Sequence, residues 1–233
     1  MELLAPYLEA HPEPLPSVVL AEGYDSWERF IHSDARLISI IAARGTGKTT
    51  ALLKRAILKR DKDAIIMAPH RSMKRRYFEQ LCNLAIELFG FDAQITRDSN
   101  DRMELYVNSH TISVEHSLLG YVMDYTSNKQ LLYDEPESRI DIGNIDTIAR
   151  YYNRMNSDVV FVGSICTPED TTFKQFHAYA AAQSGYTATI TAESFPERLA
   201  SVQEMRRYMT DRVYRMEYMC DWSAGEDEGT WYT

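Results

Sequence analysis

The chain alternates between short runs that are apolar at nearly every position and longer stretches whose apolar residues recur every three or four places. Arg36 to Ala42 is of the first kind, with Leu37, Ile38, Ile40 and Ile41 closely spaced. Apolarity on both alternating faces predicts a strand buried on both sides. Ala64 to Ala68, Leu131 to Tyr133 and Asp158 to Gly163 repeat the pattern, and Tyr186 to Thr191 predicts a further strand. Helical spacing marks Thr49 to Arg60 through Leu52, Leu53, Ala56 and Ile57. It also marks Ser72 to Phe89, with Tyr77, Leu81, Leu84, Ala85 and Leu88 inward and Gly90 where a C-cap glycine belongs. Asp25 or Ser26 can cap a short helix carrying Trp27, Phe30 and Ile31 on one face. Ile145 to Met155, Phe173 to Ala182 and Leu199 to Met219 supply more helix, the last as one piece or two. Met103 to Val107 and Thr111 to Val114 flank Asn108-Ser109-His110 and predict a hairpin. Strands alternating with helices imply an α/β domain built on a doubly wound, mostly parallel central sheet flanked by helices.

Composition narrows this picture. With 233 residues and 45% hydrophobic positions, the chain can bury one proper core and a small appended subdomain. Its longest apolar runs are strand-sized, so no membrane contact is expected. Met1 to Ser17 is acidic and broken by Pro6, Pro12, Pro14 and Pro16, so no secretory signal is expected there. Cys82, Cys166 and Cys220 lie far apart without metal-ligand spacing, which suits a reducing compartment. The net charge of −9 argues against coating nucleic acid through an overall field. Any such contact would need a local patch or a ring of subunits. The candidate patches are Lys54, Arg55, Lys59, Arg60 and Lys62, and Arg71, Lys74, Arg75 and Arg76.

Candidate chemistry gathers where the predicted strands end. Ala42-Ala43-Arg44-Gly45-Thr46-Gly47-Lys48-Thr49 fits the phosphate-loop pattern G-x-x-x-x-G-K-[ST], with Ala42 in place of the first glycine. A phosphate loop needs a tight turn between strand and helix whose backbone N–H groups face an anion without side chains in the way. Gly45 and Gly47 give that freedom; Ala43 to Thr50 would line the nucleotide, Lys48 would reach the β- and γ-phosphates, and Thr49 would hold Mg²⁺. Arg44 either faces solvent or lends positive charge beside the γ-phosphate. Leu131-Leu132-Tyr133-Asp134-Glu135 fits a Walker B strand, with Asp134 delivered to the metal and Glu135 placed to polarise an attacking water. An acidic pair after an apolar run also marks a strand leaving the core; the phosphate loop upstream favours the catalytic reading. Ser164-Ile165-Cys166-Thr167-Pro168, after the third buried strand, can place a hydroxyl near the γ-phosphate or simply turn into the next helix. The strand ending at Gly163 is expected to lie between the other two. Trp27 and Phe30 could meet a base or pack in the core.

These motifs carry a resemblance. The loop from Ala43 to Thr49, with its arginine and no first glycine, resembles the Walker A of the large terminase subunits of tailed bacteriophages. Ile65-Ile66-Met67-Ala68-Pro69, the hairpin at Asn108-Ser109, Ser117-Leu118-Leu119-Gly120, Asp134-Glu135 and Ile165-Cys166-Thr167-Pro168 follow that family's order of elements. Phe195-Pro196-Glu197 and Met216 to Asp221 resemble the close of its ATPase domain. The resemblance implies a P-loop ATPase of the additional-strand, catalytic-glutamate type, with an arm at residues 1–24, the ATPase domain at 25–222 and a tail at 223–233 bordering an absent nuclease domain. It implies ATP and Mg²⁺ as cofactors, Glu135 activating water, Arg44 acting in cis and Thr167 coupling hydrolysis to movement. It further implies double-stranded viral DNA, a ring of identical subunits, a portal protein and a small terminase subunit as partners, in the host cytoplasm. Leu119 stands where many relatives carry an arginine that reaches a neighbouring subunit, leaving Arg150 and Arg154 as candidates for a finger in trans. A helicase-like or remodelling ATPase is the alternative, although the two-lobed type needs a second domain for which 233 residues leave no room. A small-molecule kinase or nucleotide-dependent module is the other, and Asp134-Glu135 suits water better than an acceptor substrate.

Overall fold

The computed structural model describes residues 22–90, 94–98, 103–116, 126–136, 145–166 and 172–225. In chain order the elements are α1 (Glu22–His32), β1 (Leu37–Ala42), α2 (Lys48–Leu58), β2 (Ala64–Met67), α3 (Lys74–Phe89), β3 (Gln94–Asp98), β4 (Met103–Val107) and β5 (His110–Glu115). There follow β6 (Gln130–Asp134), α4 (Ile145–Arg154), β7 (Asp158–Gly163), α5 (Thr172–Ala182), β8 (Tyr186–Ile190), α6 (Leu199–Arg206) and α7 (Asp211–Glu217). Eight strands form one sheet in the order β3-β4-β5-β2-β6-β7-β1-β8. All neighbours pair in parallel except β3 with β4 and β4 with β5.

The period-two alternation of each strand divides the core into two layers. On one face Ile38, Ile40, Ile66, Leu132, Val160 and Val162 meet Trp27, Phe30, Leu52, Ala56, Phe78 and Leu81 from α1, α2 and α3. On the other, Leu37, Ile41, Ile65, Leu131, Val159 and Phe161 meet Ile148, Phe173, Phe176, Val202 and Tyr214 from α4 to α7. Burying each such side chain contributes about 1.5–3 kcal/mol, so the central strands are fixed by both layers. The expected mostly parallel sheet flanked by helices is therefore present. β7 lies between β6 and β1, which is the additional-strand arrangement.

Three local expectations need correction. The first helix begins at Glu22, ahead of the Asp25 or Ser26 cap; Asp25 instead pairs with Arg29 one turn on, at 2.5 Å. On α3, Tyr77, Phe78, Leu81 and Ala85 are buried, whereas Leu88 is exposed near the helix end. β3 carries no alternating pattern to mark it in the sequence; among the described residues it pairs with β4 alone, and its Ile95 is exposed.

The first basic stretch proves to be largely structural. Arg55 is fully buried, and its Nη1 donates to the carbonyls of Phe30, Ile31 and Ser33, which end α1. Burial pulls its guanidinium down to about 10. Lys59 pairs with Asp34, and Lys62 with Asp158 at 2.7 Å. In the second stretch, Lys74 forms a buried pair with Glu115 at 3.0 Å and Arg75 pairs with Glu79 at 3.0 Å. Among the described residues no helix is long and apolar enough to cross a membrane.

Candidate functional site

β1 ends at Ala42, and the chain turns through residues 43–47 into α2. Gly45 (φ 74°) and Gly47 (φ 90°) take left-handed backbone conformations that a side chain would strain. A Cβ at Gly45 would also lie 2.7 Å from an Nη1 of Arg198. The loop is held from several directions. Ala43 N–H donates to the Ile190 carbonyl at 2.8 Å, and Arg44 N–H to that of Glu217 at 3.0 Å. The buried Trp27 indole donates to the Thr46 carbonyl at 2.7 Å, and the Thr46 hydroxyl to the Ala43 carbonyl at 2.8 Å. Trp27 and Phe30 are thus core residues, and Trp27 additionally braces the loop.

Lys48 opens α2 and is buried, so its ammonium must be satisfied internally. It donates to Ser164 Oγ at 2.7 Å and to the Ala43 and Ala42 carbonyls at 3.1 and 3.5 Å. Glu135 Oε1 lies 3.2 Å from it. Glu135, the residue after β6, has φ 47°, which turns its side chain back across β7. There its Oε2 accepts the Ser164 N–H at 2.9 Å. Lys48, Glu135 and Ser164 therefore form one closed network at the ends of three adjacent strands.

Asp134 sits beside it, fully buried. Its Oδ2 accepts from the Thr49 hydroxyl at 2.6 Å and from the Tyr77 hydroxyl of α3 at 2.5 Å. Its Oδ1 is buried without a partner. Burial pushes the Asp134 carboxyl upward, against the Thr49 and Tyr77 hydrogen bonds; burial and the Asp134 charge push the Tyr77 phenol up as well. An orphaned carboxylate oxygen beside a threonine hydroxyl fits a hard divalent cation. No cluster of three or more His, Cys, Asp or Glu gathers among the described residues. Such an ion would therefore take protein oxygens from Thr49 and Asp134 and complete its shell with phosphate and water, as Mg²⁺ does.

Arg44 is directed at α7: its Nε lies 3.0 Å from Glu217 Oε2. Burial, the largest single influence, lowers its pKa, but Glu217, Cys166 and Glu135 together outweigh it and hold the guanidinium above its ordinary value. A cleft of about 1120 Å³ opens over the loop, lined by Arg44, Gly45, Lys48, Thr49, Thr50 and Glu135. Pro69, His70, Met73, Arg76 and Tyr77 from the β2–α3 side complete it, with Cys166.

The structure thus brings Ala43, Arg44, Gly45, Thr46, Gly47, Lys48, Thr49, Thr50, Asp134 and Glu135 together at the carboxyl ends of the strands. Thr167 lies outside the described residues, as do Ser117–Gly120, residues 1–21 of the arm and 226–233 of the tail. The hydroxyl in contact with Lys48 is that of Ser164, the first residue after β7. Arg150 and Arg154 are exposed on α4, away from the cleft; Arg150 is engaged by Thr147 Oγ1 at 3.1 Å. Neither is among the residues that line the cleft. Tyr77 and Trp27 contribute to the site through contacts that local patterning does not specify.

No family model matches the chain. A curated protein, "Probable ATP-binding cassette sub-family F member 3 homolog" of Encephalitozoon cuniculi (strain GB-M1), is 27% identical over 61% of this chain. The match takes in 27% of that protein, so the chain spans about a quarter of this relative's length. Among solved structures, the large terminase ATPase domain of Thermus phage P74-26 superimposes with a TM-score of 0.60 at 14% identity, over 82% of this chain and 90% of that one. The large terminase of another thermophilic bacteriophage, solved in complex with ATP-gamma-S, gives a TM-score of 0.66 at 10% identity, over 86% of this chain and 52% of that one. The chain therefore spans about half of that second terminase. At these identities the likeness is one of fold: the chain shares the fold of these large terminase structures.

Proposed function

We propose that this chain is a Mg²⁺-dependent ATPase whose hydrolysis drives double-stranded DNA into a viral procapsid, working as a ring of subunits. The observation that carries the ATPase reading is the network joining three strand ends. Lys48 comes from the phosphate loop, Glu135 from the end of β6 and Ser164 from the end of β7, within 3.2 Å of one another. An ammonium held between a carboxylate and a hydroxyl, facing a cleft, is poised to exchange one partner for a phosphate. Once it does, Glu135 keeps its anchor on the Ser164 N–H and can accept a proton from water. The bound metal would neutralise charge on the phosphate oxygens; Thr49 and Asp134 are the side chains that would hold it.

The DNA-packaging part of the reading rests on the fold shared with large terminase ATPase domains and on an arginine within the phosphate loop. Double-stranded DNA, a portal protein and a small terminase subunit are the partners this reading implies, with Arg150 or Arg154 reaching a neighbour's site. ATP turnover measured across protein concentration, with and without linear duplex DNA, tests it. Turnover should rise with protein concentration and with duplex, and Lys48→Ala should abolish it. Turnover indifferent to duplex DNA at every concentration would leave the ATPase and remove the packaging motor.

A further inference from the structure

Among the described residues that line the cleft, Arg76 is the cation left without an ion pair. Lys48 is matched by Glu135, and Arg44 by Glu217. Asp134 adds a buried carboxyl with an unpartnered oxygen. Arg76 also lines the cleft, is exposed, and forms no ion pair among the described residues. Its place in the sequence is unfavourable. Lys74, Arg75 and Arg76 open α3 in a row, with no acidic residue in the first turn. Cations near a helix N-terminus oppose the macrodipole by about 0.3–1 kcal/mol each. Lys74 is compensated by Glu115 and Arg75 by Glu79. Arg76 has no such compensation, and a local rule broken without an evident gain points to function.

Geometry says what that function is. Met73, the residue before α3, and Arg76 and Tyr77 in its first turn all line the cleft. Tyr77 donates to Asp134, whose other neighbour is Thr49 of the loop. Arg76 therefore lines the cleft from α3, next in sequence to the tyrosine that holds Asp134. A metal-bound nucleoside triphosphate still carries net negative charge, and Lys48 and Arg44 are already shared with carboxylates.

We propose that Arg76 binds the polyphosphate chain of the nucleotide in cis, as a second cationic ligand beside Lys48. The proposal rests on the nucleotide reading of the site and assigns to phosphate a residue whose sequence context suggested DNA. A guanidinium on phosphate forms charge-assisted hydrogen bonds, so its loss should be read in affinity.

The test is calorimetric binding of Mg·ATP and of inorganic tripolyphosphate to the full chain. Arg76→Ala should weaken both by about tenfold or more, Arg76→Lys should restore most of that affinity, and the melting temperature should not move, since the side chain is exposed. Tripolyphosphate has no base or sugar, so a parallel loss locates the contact on phosphate. If the unmodified chain binds neither probe, the nucleotide reading fails and Arg76 falls with it. If the unmodified chain binds both and Arg76→Ala binds them equally well, only the Arg76 assignment falls. A loss in Arg76→Ala confined to duplex DNA binding would overturn it in favour of a nucleic-acid contact.

Discussion

Replacing Glu135 with glutamine separates catalysis from structure at this site. Among the contacts of the carboxylate are the Ser164 N–H at 2.9 Å and Lys48 at 3.2 Å. A glutamine carbonyl can still accept from Ser164. Lys48 would keep Ser164 Oγ, the Ala43 carbonyl and the Ala42 carbonyl, three acceptors for its three donors. The Glu135 side chain is partly exposed, so the lost attraction is screened, and the stability loss should stay at about 1–2 kcal/mol. That corresponds to a fall in Tm of only several degrees for a chain of this size. Turnover should instead drop by about 10²- to 10⁴-fold, the share general-base catalysis supplies. ATP affinity should hold or tighten, because a negative charge beside Lys48 is gone. Steady-state turnover, calorimetric ATP binding and a thermal melt on one preparation check this. Turnover within twofold of the unmodified chain would refute the general-base role. Loss of ATP binding in step with turnover would show that Glu135 holds the site together instead of acting in the chemistry.

Two further outcomes follow from the same geometry. Ser164→Ala removes the hydroxyl to which Lys48 donates and should lower kcat by about tenfold or more while leaving ATP binding nearly intact; Thr167→Ala, measured beside it, decides which hydroxyl after β7 has the larger part. Equal, near-unmodified rates in both variants would end the sensor reading for this segment. Mixing Lys48→Ala chains with Arg154→Ala chains should recover activity at interfaces where an intact Lys48 faces an intact Arg154. No recovery at any ratio, with both variants folded and associating, would exclude Arg154 as a finger in trans, and Arg150→Ala in the same mixture tests the other candidate.

What could be seen in the sequence depended on how local each cause is. β1, β2, β6 and β7 announce themselves because both faces are buried and each strand is therefore largely apolar. The phosphate loop is legible because its backbone geometry restricts residue types over consecutive positions. The hairpin turn is legible for the same reason: Asn108 (φ 50°) and Ser109 (φ 70°) take the left-handed conformations that such turns require. β3 escaped because an edge strand is held by backbone pairing with β4 and needs no apolar face. The basic stretches were ambiguous because sequence does not say which lysine or arginine turns inward. Arg55 and Lys74 stand next in sequence to the less buried Lys54 and Arg75, yet Arg55 ends α1 and Lys74 pairs with Glu115. Ser164 lies in the expected segment, three residues before Thr167, which is outside the described residues. Only the fold shows that the first residue past β7 reaches Lys48.

The same distinction bears on Arg44, which was expected to serve the nucleotide and is found against Glu217. Two links join these residues, and they differ in strength. The Arg44 N–H to Glu217 carbonyl bond at 3.0 Å fixes the loop backbone to the end of α7. The side-chain pair is also at 3.0 Å, but the Arg44 side chain is 53% exposed, and such pairs are worth about 0–1 kcal/mol. Ile190, Trp27 and the Glu217 carbonyl therefore hold the loop whether or not the guanidinium stays in place. A phosphate beside the loop can displace one carboxylate from that guanidinium without melting the turn. The pairing with Glu217 thus leaves the proposed part of Arg44 open in the nucleotide-bound site. It also means that the end of α7 would lose a charge partner whenever Arg44 turns to phosphate, although its backbone anchor to the loop remains.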